Sequence, residues 1–277
     1  MVATVQLQLD PLELAAHLQL LLSLRGDATG NPSEGCAWTG DLNGVWQLHH
    51  HPAFAPLVAQ VVEQAWAYLV EIGFDRASVA LHIQRCWPVL SDWDQAVGRH
   101  HHPNAHLSAV LYLSGSGSGG EGVLRIHSPA QPNELVPGLA VGHGGPIAAD
   151  HPFNQAHWDL APQPGLLVLF PSRLDHSVLP NADPEALRCS ISFDFALTAP
   201  EQGNAPEYLA RPPAGVSFPA LPDARTDSSP AQPTHPAPPA LEVTQRLSDR
   251  RETDSCGFVL GRGRASRWGT PRGHPKG

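Results

Sequence analysis

Apolar residues recur at helical spacing in two segments near the start of the chain. The first segment follows Asp10, a residue suited to cap a helix, with Pro11 at the first helical position and Glu13 at the capping-box position, and it ends near Gly26. The second runs from about residue 52 to 72, where apolar side chains form one face and a glycine follows. The pattern predicts two helices whose apolar faces pack against another element.

Beyond residue 77 the apolar positions change from helical spacing to short runs. These runs are rich in Val, Ile, Leu and Phe and are separated by Gly, Pro, Asn and Ser, which is typical of strands and the turns between them. They lie at 78–87, 107–113, 123–127, 166–170 and 187–197. Helices followed by many short strands predict the α+β fold class, with a β-sandwich or jelly roll as the core.

Composition divides the chain into four segments. Residues 1–76 are expected to form an N-terminal helical support packed on the core, 77–200 the β core, and 201–221 a C-terminal extension. Residues 222–277 are rich in proline and arginine, and they contain too few apolar side chains to offset the entropy of ordering the chain. We predict that this tail is disordered.

Charge and composition exclude several classes of protein. The formal net charge is −9, and residues 1–210 contain 20 acidic against 7 basic residues, which argues against nucleic acid as a partner. No apolar run approaches the roughly 18 residues that span a bilayer, and the first residues lack the basic and apolar regions of a secretory signal. Four widely spaced cysteines form no zinc motif or disulfide framework. We therefore expect a cytoplasmic protein without a membrane or nucleic-acid partner.

Histidine is over-represented, with 16 residues and two runs of three. The run at 49–51 precedes the second helix, where solvated or helix-capping histidines are expected. The run at 100–102 lies at the entrance of a strand, HHHPNAHLSAVLYLS. Because alternate residues of an extended chain share a face, His100 and His102 are expected to project together while His101 points away. Two imidazoles on one side are half of a metal site.

The remaining site residues are expected from a distant strand, since a jelly roll brings remote strands together. An apolar strand ends at Phe170, and the turn beyond it presents His176. Arg188 and Ser190 stand two residues apart in the last strand, so they face the same way and offer a guanidinium and a hydroxyl to a carboxylate. An arginine inside a barrel is costly unless it meets an anion. The pattern indicates a metal site together with a carboxylate site.

These blocks, taken in order, resemble the Fe(II)/2-oxoglutarate-dependent oxygenase superfamily. The blocks are H-x-H-P-N from His100, L-S-A-V-L-Y-L from Leu107, P-G-L-L-V-L-F-P-S from Pro164, the single His176, and R-x-S-I-S-F from Arg188. The resemblance covers roughly residues 40–196 and is strongest to a group of bacterial and phage oxygenases of unassigned substrate that share the H-x-H-P motif. Trp87 also stands where that group places a tryptophan.

The resemblance implies a double-stranded β-helix core and assigns roles to six residues. It implies that Fe(II) is held by His100, His102 and His176, and that 2-oxoglutarate is held by Arg188 and Ser190 with Tyr112 as a further contact. The superfamily usually has H-x-D/E at the first two ligands, so His102 stands in place of a carboxylate. A third imidazole completes one face of the metal but removes one negative charge from the site.

The implied reaction uses Fe(II), 2-oxoglutarate and O2, releases succinate and CO2, and hydroxylates an unidentified small molecule or peptide. A segment at 131–157, rich in Pro, Gly and His, is expected to form the lid that selects this substrate, with His143, His151 and His157 as loop histidines rather than ligands. Two alternatives stay open: a three-histidine, cupin-type metal dioxygenase that uses no 2-oxoglutarate, and a catalytically silent metal-binding module of the same fold. Succinate formation separates both from the oxygenase.

Overall fold

Ten strands and two α-helices make up the described part of the chain. The computed structural model describes residues 2–129, 151, 155–200 and 209–210, so the tail at 222–277 and most of the segments 131–157 and 201–221 lie outside the described residues. The elements are β1 Ala3–Gln6, α1 Pro11–Arg25, β2 Trp38–Thr39, α2 Ala55–Glu71, β3 Ala80–Ser91, β4 Val97–His100, β5 Leu107–Tyr112, β6 Leu124–His127, β7 His157–Leu160, β8 Leu166–Pro171, β9 His176–Val178 and β10 Arg188–Thr198. Three short 3-10 turns lie at Gly40–Asn43, Leu48–His50 and Pro52–Phe54.

The first helix has the caps that its sequence predicts. The side chain of Asp10 accepts hydrogen bonds from the backbone N–H groups of Leu12 and Glu13 at 2.9 and 3.1 Å. Gly26 caps the other end with φ of 60°, a conformation that glycine adopts without steric cost. The second helix begins three residues later than predicted, because Pro52–Phe54 forms a separate 3-10 turn.

The strands form two antiparallel sheets. The large sheet has the order β1-β8-β5-β10-β3-β2, and the small sheet has the order β4-β9-β6-β7. From β3 onward the chain supplies eight strands, of which β3, β5, β8 and β10 lie in the large sheet and β4, β6, β7 and β9 in the small one. Two facing four-stranded antiparallel sheets with this alternation are a jelly roll of the double-stranded β-helix type, as predicted.

The large sheet is buried on both faces, which explains its continuous apolar strands. Side chains such as Ala109, Leu169 and Phe193 pack with the helices in one core cluster on the outer face. Side chains such as Val110 and Phe170 pack with β6 and β9 in a second cluster between the sheets. The inner face of β10 differs from these apolar strands, because it carries polar residues at alternate positions. The functional groups therefore lie between the sheets, on the inner face of β10 and its neighbours.

The N-terminal segment is more than a helical support. Strand β1 pairs with β8, with Ala3 opposite Leu169, and β2 pairs with β3, with Trp38 opposite Leu90. The two strands extend the large sheet at its two edges, so residues 1–76 contribute to the sheet as well as covering it. The sequence pattern missed both strands because they are only four and two residues long.

One helix among the described residues, Pro52–Glu71, is long and apolar enough to cross a membrane by length and composition alone. Its apolar residues, including Val61 and Ala65 at 0% exposure, belong to the cluster on the outer face of the large sheet. The burial explains the hydropathy of this helix as that of a core helix.

Candidate metal centre

Strand pairing in the small sheet brings two remote histidines together. His100 is the last residue of β4 and lies opposite His176, the first residue of β9. His102 lies two residues beyond, and its backbone N–H donates to the carbonyl of Ser172 at 2.9 Å. Residues 101–106 cross from the small sheet to β5 of the large one, so the histidine run precedes the strand predicted at 107–113 and its first residue ends β4. The expectation that His176 lies in a turn is wrong, since β9 begins there.

The three imidazoles point at one another. One ligand atom from each of His100, His102 and His176 lies within 4.8 Å of the others, and within the described part of the chain this is the one such cluster of histidine, cysteine and acidic residues. The ring centroids of His100 and His176 are 4.3 Å apart, and those of His102 and His176 are 5.0 Å apart. His102 is 8% exposed and His176 is 4% exposed, so the cluster is closed to bulk solvent on most sides.

Hydrogen bonds fix which nitrogen of each ring faces the cluster. Nδ1 of His100 lies 2.8 Å from the carbonyl of Gly98, and Nδ1 of His176 lies 2.9 Å from the carbonyl of Leu174. A carbonyl only accepts, so each Nδ1 carries the proton and each Nε2 keeps a free lone pair. Nδ1 of His102 lies 2.6 Å from a carboxylate oxygen of Asp194, which leaves its Nε2 free in the same way.

Burial favours the neutral form of His100 and His176. It lowers the pKa of the His100 imidazole, with a smaller contribution from the nearby His102. It lowers the pKa of the His176 imidazole well below its ordinary value, and the neighbouring His100 and His102 add to the effect. Three converging imidazole nitrogens are a donor set that suits a divalent transition metal. The residues therefore fit an iron ion, which would be held through the three Nε2 atoms.

His101 points away from the cluster, as predicted from strand alternation. Its side chain is half-exposed, and its Nδ1 lies 3.2 Å from Asp175. The same carboxylate accepts a hydrogen bond from Arg99 at 2.9 Å. This group lies on the outside of the small sheet and takes no part in the histidine cluster.

A buried arginine lies on the inner face of β10. Arg188 is 1% exposed, and no ion pair among the described residues includes it. Its guanidinium donates weak hydrogen bonds to Ser190 Oγ at 3.4 Å and to Tyr112 Oη at 3.3 Å, and it lies 5.0 Å from the Tyr112 ring centroid. Cross-strand pairing of Ser190 with Tyr112 fixes this arrangement.

One atom of that guanidinium has no partner. Nε of Arg188 is buried and makes no hydrogen bond with any described residue. A buried cation without a counter-charge is costly, and the planar fork of arginine matches a carboxylate. Burial also raises the pKa of the Tyr112 hydroxyl, which stays a neutral donor despite the opposing effect of Arg188. The three residues fit one carboxylate of 2-oxoglutarate.

Sequence reasoning missed the carboxylate in the interior. Asp194 is 0% exposed and lies on the inner face of β10, in the alternating series Arg188, Ser190, Ser192 and Asp194. Burial alone raises the pKa of its carboxyl, but the hydrogen bonds from His102 and Arg85, together with the charge of Arg85, outweigh it and hold the pKa below its ordinary value. The sequence contains a signal for it, since the alternation of Arg188 and Ser190 continues in R-x-S-x-S-x-D to Asp194, four residues after Ser190.

The other predicted histidines lie outside the cluster. His157 begins β7 rather than lying in a loop, and its ring centroid is 6.5 Å from that of His127 in β6. His151 is a described residue outside any element, whereas His143 lies outside the described residues. The run at 49–51 lies in and after a 3-10 turn, and His51 accepts a hydrogen bond from the N–H of Ala53, as a helix-capping residue does.

The fold and the site together describe a double-stranded β-helix with a cluster of three histidines that could hold a metal ion and an interior arginine that could bind a carboxylate. Residues 85–194 match the family model described as "Putative 2OG-Fe(II) oxygenase". The match spans β3 to β10 and contains all three histidines as well as Arg188. Over these residues the chain is similar to this family of 2-oxoglutarate- and iron-dependent oxidoreductases. No curated protein matches the chain.

Solved structures with a similar chain path are distant in sequence. The 2-oxoglutarate-dependent epimerase SnoN from nogalamycin biosynthesis is 17% identical, with a TM-score of 0.48 over 78% of this chain and 87% of that one. A prolyl-4-hydroxylase from Pseudomonas putida is 18% identical, with a TM-score of 0.46 over 70% and 91%. HygX from Streptomyces hygroscopicus, solved with nickel and 2-oxoglutarate, is 14% identical, with a TM-score of 0.46 over 70% and 82%. The fold assignment rests on the strand order described above.

Proposed function

We propose that the protein is an Fe(II)- and 2-oxoglutarate-dependent dioxygenase that hydroxylates a small molecule or a peptide. Iron is bound by His100, His102 and His176, and the distal carboxylate of 2-oxoglutarate is bound by Arg188, Ser190 and Tyr112. One observation supports the proposal above others: the interior that holds three converging imidazoles also holds an arginine whose Nε has no hydrogen-bond partner among the described residues.

The bound metal and 2-oxoglutarate supply the oxidative chemistry, in which O2 is consumed and succinate and CO2 are released. The protein's own residues bind the metal and the co-substrate and orient the co-substrate. Burial keeps the pKa values of His100 and His176 low, so these imidazoles can bind a metal at neutral pH without first losing a proton. Arg188 and Tyr112 donate to the co-substrate and so fix its orientation. Phe170, whose ring centroid lies 4.9 Å from that of His176, helps to exclude water.

The first experiment tests iron and co-substrate together. Anaerobic titration of the protein with Fe(II) and then 2-oxoglutarate is expected to give a visible metal-to-ligand charge-transfer band. Admission of O2 is expected to produce succinate slowly even without a prime substrate. Iron binding without either signal would contradict the proposal.

The variant Arg188→Lys tests the carboxylate site separately. Lysine keeps the charge but loses the two-pronged geometry, a difference on the order of 1–3 kcal/mol for a charge-assisted hydrogen bond. We expect 2-oxoglutarate binding to weaken by roughly 5- to 150-fold. Fe(II) binding should be unchanged, because the hydrogen bonds of Arg188 within the described part of the chain go to Ser190 and Tyr112 and not to the three histidines. Unchanged affinity for 2-oxoglutarate would show that its carboxylate binds elsewhere.

A second candidate function has one observation in its favour. The donor set is entirely imidazole, as in three-histidine dioxygenases of the cupin type that use no 2-oxoglutarate. Such an enzyme does not explain why an interior arginine lacks a counter-charge. The titration decides: bound iron without a charge-transfer band favours the second candidate or a catalytically silent module. A cytoplasmic location and membership of the bacterial and phage H-x-H-P group remain predictions from the sequence.

A further inference from the structure

One of the three histidines is held differently from the other two. Nδ1 of His100 and Nδ1 of His176 donate to neutral backbone carbonyls two residues earlier in the chain. Nδ1 of His102 instead donates to the carboxylate of Asp194 at 2.6 Å, a distance typical of a strong, charge-assisted bond. The ring that stands in place of a carboxylate ligand is thus the one that is bonded to a carboxylate.

The position of Asp194 follows from strand register. It lies opposite Arg85 of β3 on one side and opposite Ser108 of β5 on the other. Its Oδ2 accepts from Arg85 Nε at 3.1 Å and from Nη2 at 2.6 Å. Its Oδ1 accepts from His102, and the Ser108 hydroxyl lies 2.9 Å from the same oxygen. Donors on both oxygens hold the carboxylate in one orientation.

We infer that Asp194 is a positioning residue of the metal centre, which orients His102 and supplies through its hydrogen bond the negative charge that a carboxylate ligand would place on the metal. The inference rests on the proposed function, because it takes His102 as a metal ligand. A carboxylate bonded to the far nitrogen of a ligating imidazole makes the near nitrogen a stronger donor and fixes the ring plane. In an H-x-D motif the aspartate ligand itself brings one negative charge to the metal. Here the pair of His102 and Asp194 brings that charge, with His102 as the ligand and Asp194 as the carboxylate bonded to it.

The ion pair with Arg85 offers a competing explanation for Asp194. In that explanation Asp194 stabilises the fold by pairing with Arg85 and has no role at the metal centre. The Arg85 side chain is 35% exposed and also lies over Trp87, whose ring neighbours that of His102. Loss of either partner of such a pair destabilises a fold. The two explanations differ in what happens to the metal: only the inference ties metal affinity to Asp194 and not to Arg85.

The test compares three variants of the full chain by titration with Co(II), a spectroscopic substitute for Fe(II). Asp194→Asn keeps an oxygen that accepts from His102 but removes the charge. We expect its Co(II) affinity to fall by about 10- to 100-fold and its visible ligand-field bands to shift. Arg85→Gln removes the ion pair but leaves the carboxylate on His102. We expect it to lower thermal stability while the Co(II) affinity stays within about threefold of the original.

The double variant Asp194→Asn with Arg85→Gln guards against misfolding. It replaces the ion pair with an amide pair that keeps hydrogen bonds between β3 and β10, and we expect its metal affinity to be as low as that of Asp194→Asn. Equal losses of affinity in Asp194→Asn and Arg85→Gln, or unchanged affinity and spectra in Asp194→Asn, would overturn the inference. A chain with its natural sequence that binds no Co(II) or Fe(II) would instead overturn the proposed function.

Discussion

Two runs of three histidines have the same side chains and different surroundings. At 49–51 the backbone follows a 3-10 turn: His50 is exposed, His51 caps the next turn, and His49 is half-buried beside His50 with ring centroids 4.0 Å apart. At 100–102 the backbone passes from one sheet to the other, and the first and third rings meet His176. Composition alone does not distinguish the two runs.

The difference lies in the backbone and in the partner strand. An extended chain directs alternate side chains to one side, whereas a 3-10 turn spaces successive side chains around an axis. The run at 100–102 also lies beside β9, which brings a third histidine from a remote position. A histidine run becomes a candidate metal site when a sheet supplies both the alternation and the third ligand.

The largest expected effect separates the two runs by metal affinity. His100→Ala removes one of three converging lone pairs, and we expect Fe(II) affinity to fall by more than about 100-fold, beyond what loss of a supporting group costs. His49→Ala is the matched control in the other run and should leave the affinity unchanged. Anaerobic Fe(II) titration of both variants measures this. Similar losses in both would mean that the run at 49–51 binds metal as well.

A smaller effect concerns acid stability, to which both runs contribute. Burial first, and then the charge of His50, lower the pKa of His49 from 6.5 to about 4. Burial also lowers the pKa values of His100 and His176. The unfolded chain therefore takes up protons before the folded protein does, so this stability is present above pH 6.5 and is lost as the pH falls toward 4.

We expect the free energy of unfolding of the metal-free protein to fall with pH over that window, at about 1.4 kcal/mol per pH unit for each proton taken up on unfolding. Glutamine cannot be protonated, so the variant His49→Gln should take up as much as one proton fewer on unfolding near pH 5 than the original protein does. Urea unfolding at a series of pH values measures the slope. Identical slopes for the two proteins would show that His49 is protonated alike in the folded and unfolded states.

The smallest effect is expected within the run at 100–102 itself. His101→Ala removes an exposed contact with Asp175, worth about 0.5 kcal/mol or less, and Fe(II) affinity should stay within about twofold of the original. The comparison with His100→Ala tests the alternation directly, by the same titration. Equal losses at the two positions would mean that the ring directions are shifted by one residue.

Sequence reasoning predicted the large sheet better than the small one. Strands β5, β8 and β10 are buried on both faces, so each has a continuous apolar run that the sequence displays. Strands β4, β7 and β9 are three or four residues long and contain histidine, glycine, arginine or aspartate, so no apolar run marks them. Their existence depends on pairing with remote segments, which local patterns do not encode.

The site likewise contains residues that local sequence patterns identify and partners that depend on remote segments. The blocks around His100, His176 and Arg188 were identified from local motifs. Tyr112 was named only through the resemblance. The carbonyl of Leu174 and the carboxylate of Asp194 were not predicted, because they reach His176 and His102 through the fold and cross-strand register. Strand alternation from Arg188 could have marked Asp194 as an inward-facing residue, but its contact with His102 depends on where the chain crosses between the sheets.

The guanidinium of Arg188 has no ion-pair partner among the described residues, and under the proposed function this links ligand binding at the site to the lifetime of the protein. An interior cation without a counter-ion reduces the stability of the empty protein, and a dicarboxylate that binds the folded state alone restores it by mass action. The gain is about 2.7 kcal/mol when the free ligand is at 100 times its Kd, and it lowers the fraction of unfolded chains that proteases degrade. Under the proposed function, succinate has a carboxylate of the same kind and would compete for the same guanidinium. The ratio of 2-oxoglutarate to succinate in the cell would then set both how often the site is filled productively and how long the polypeptide survives.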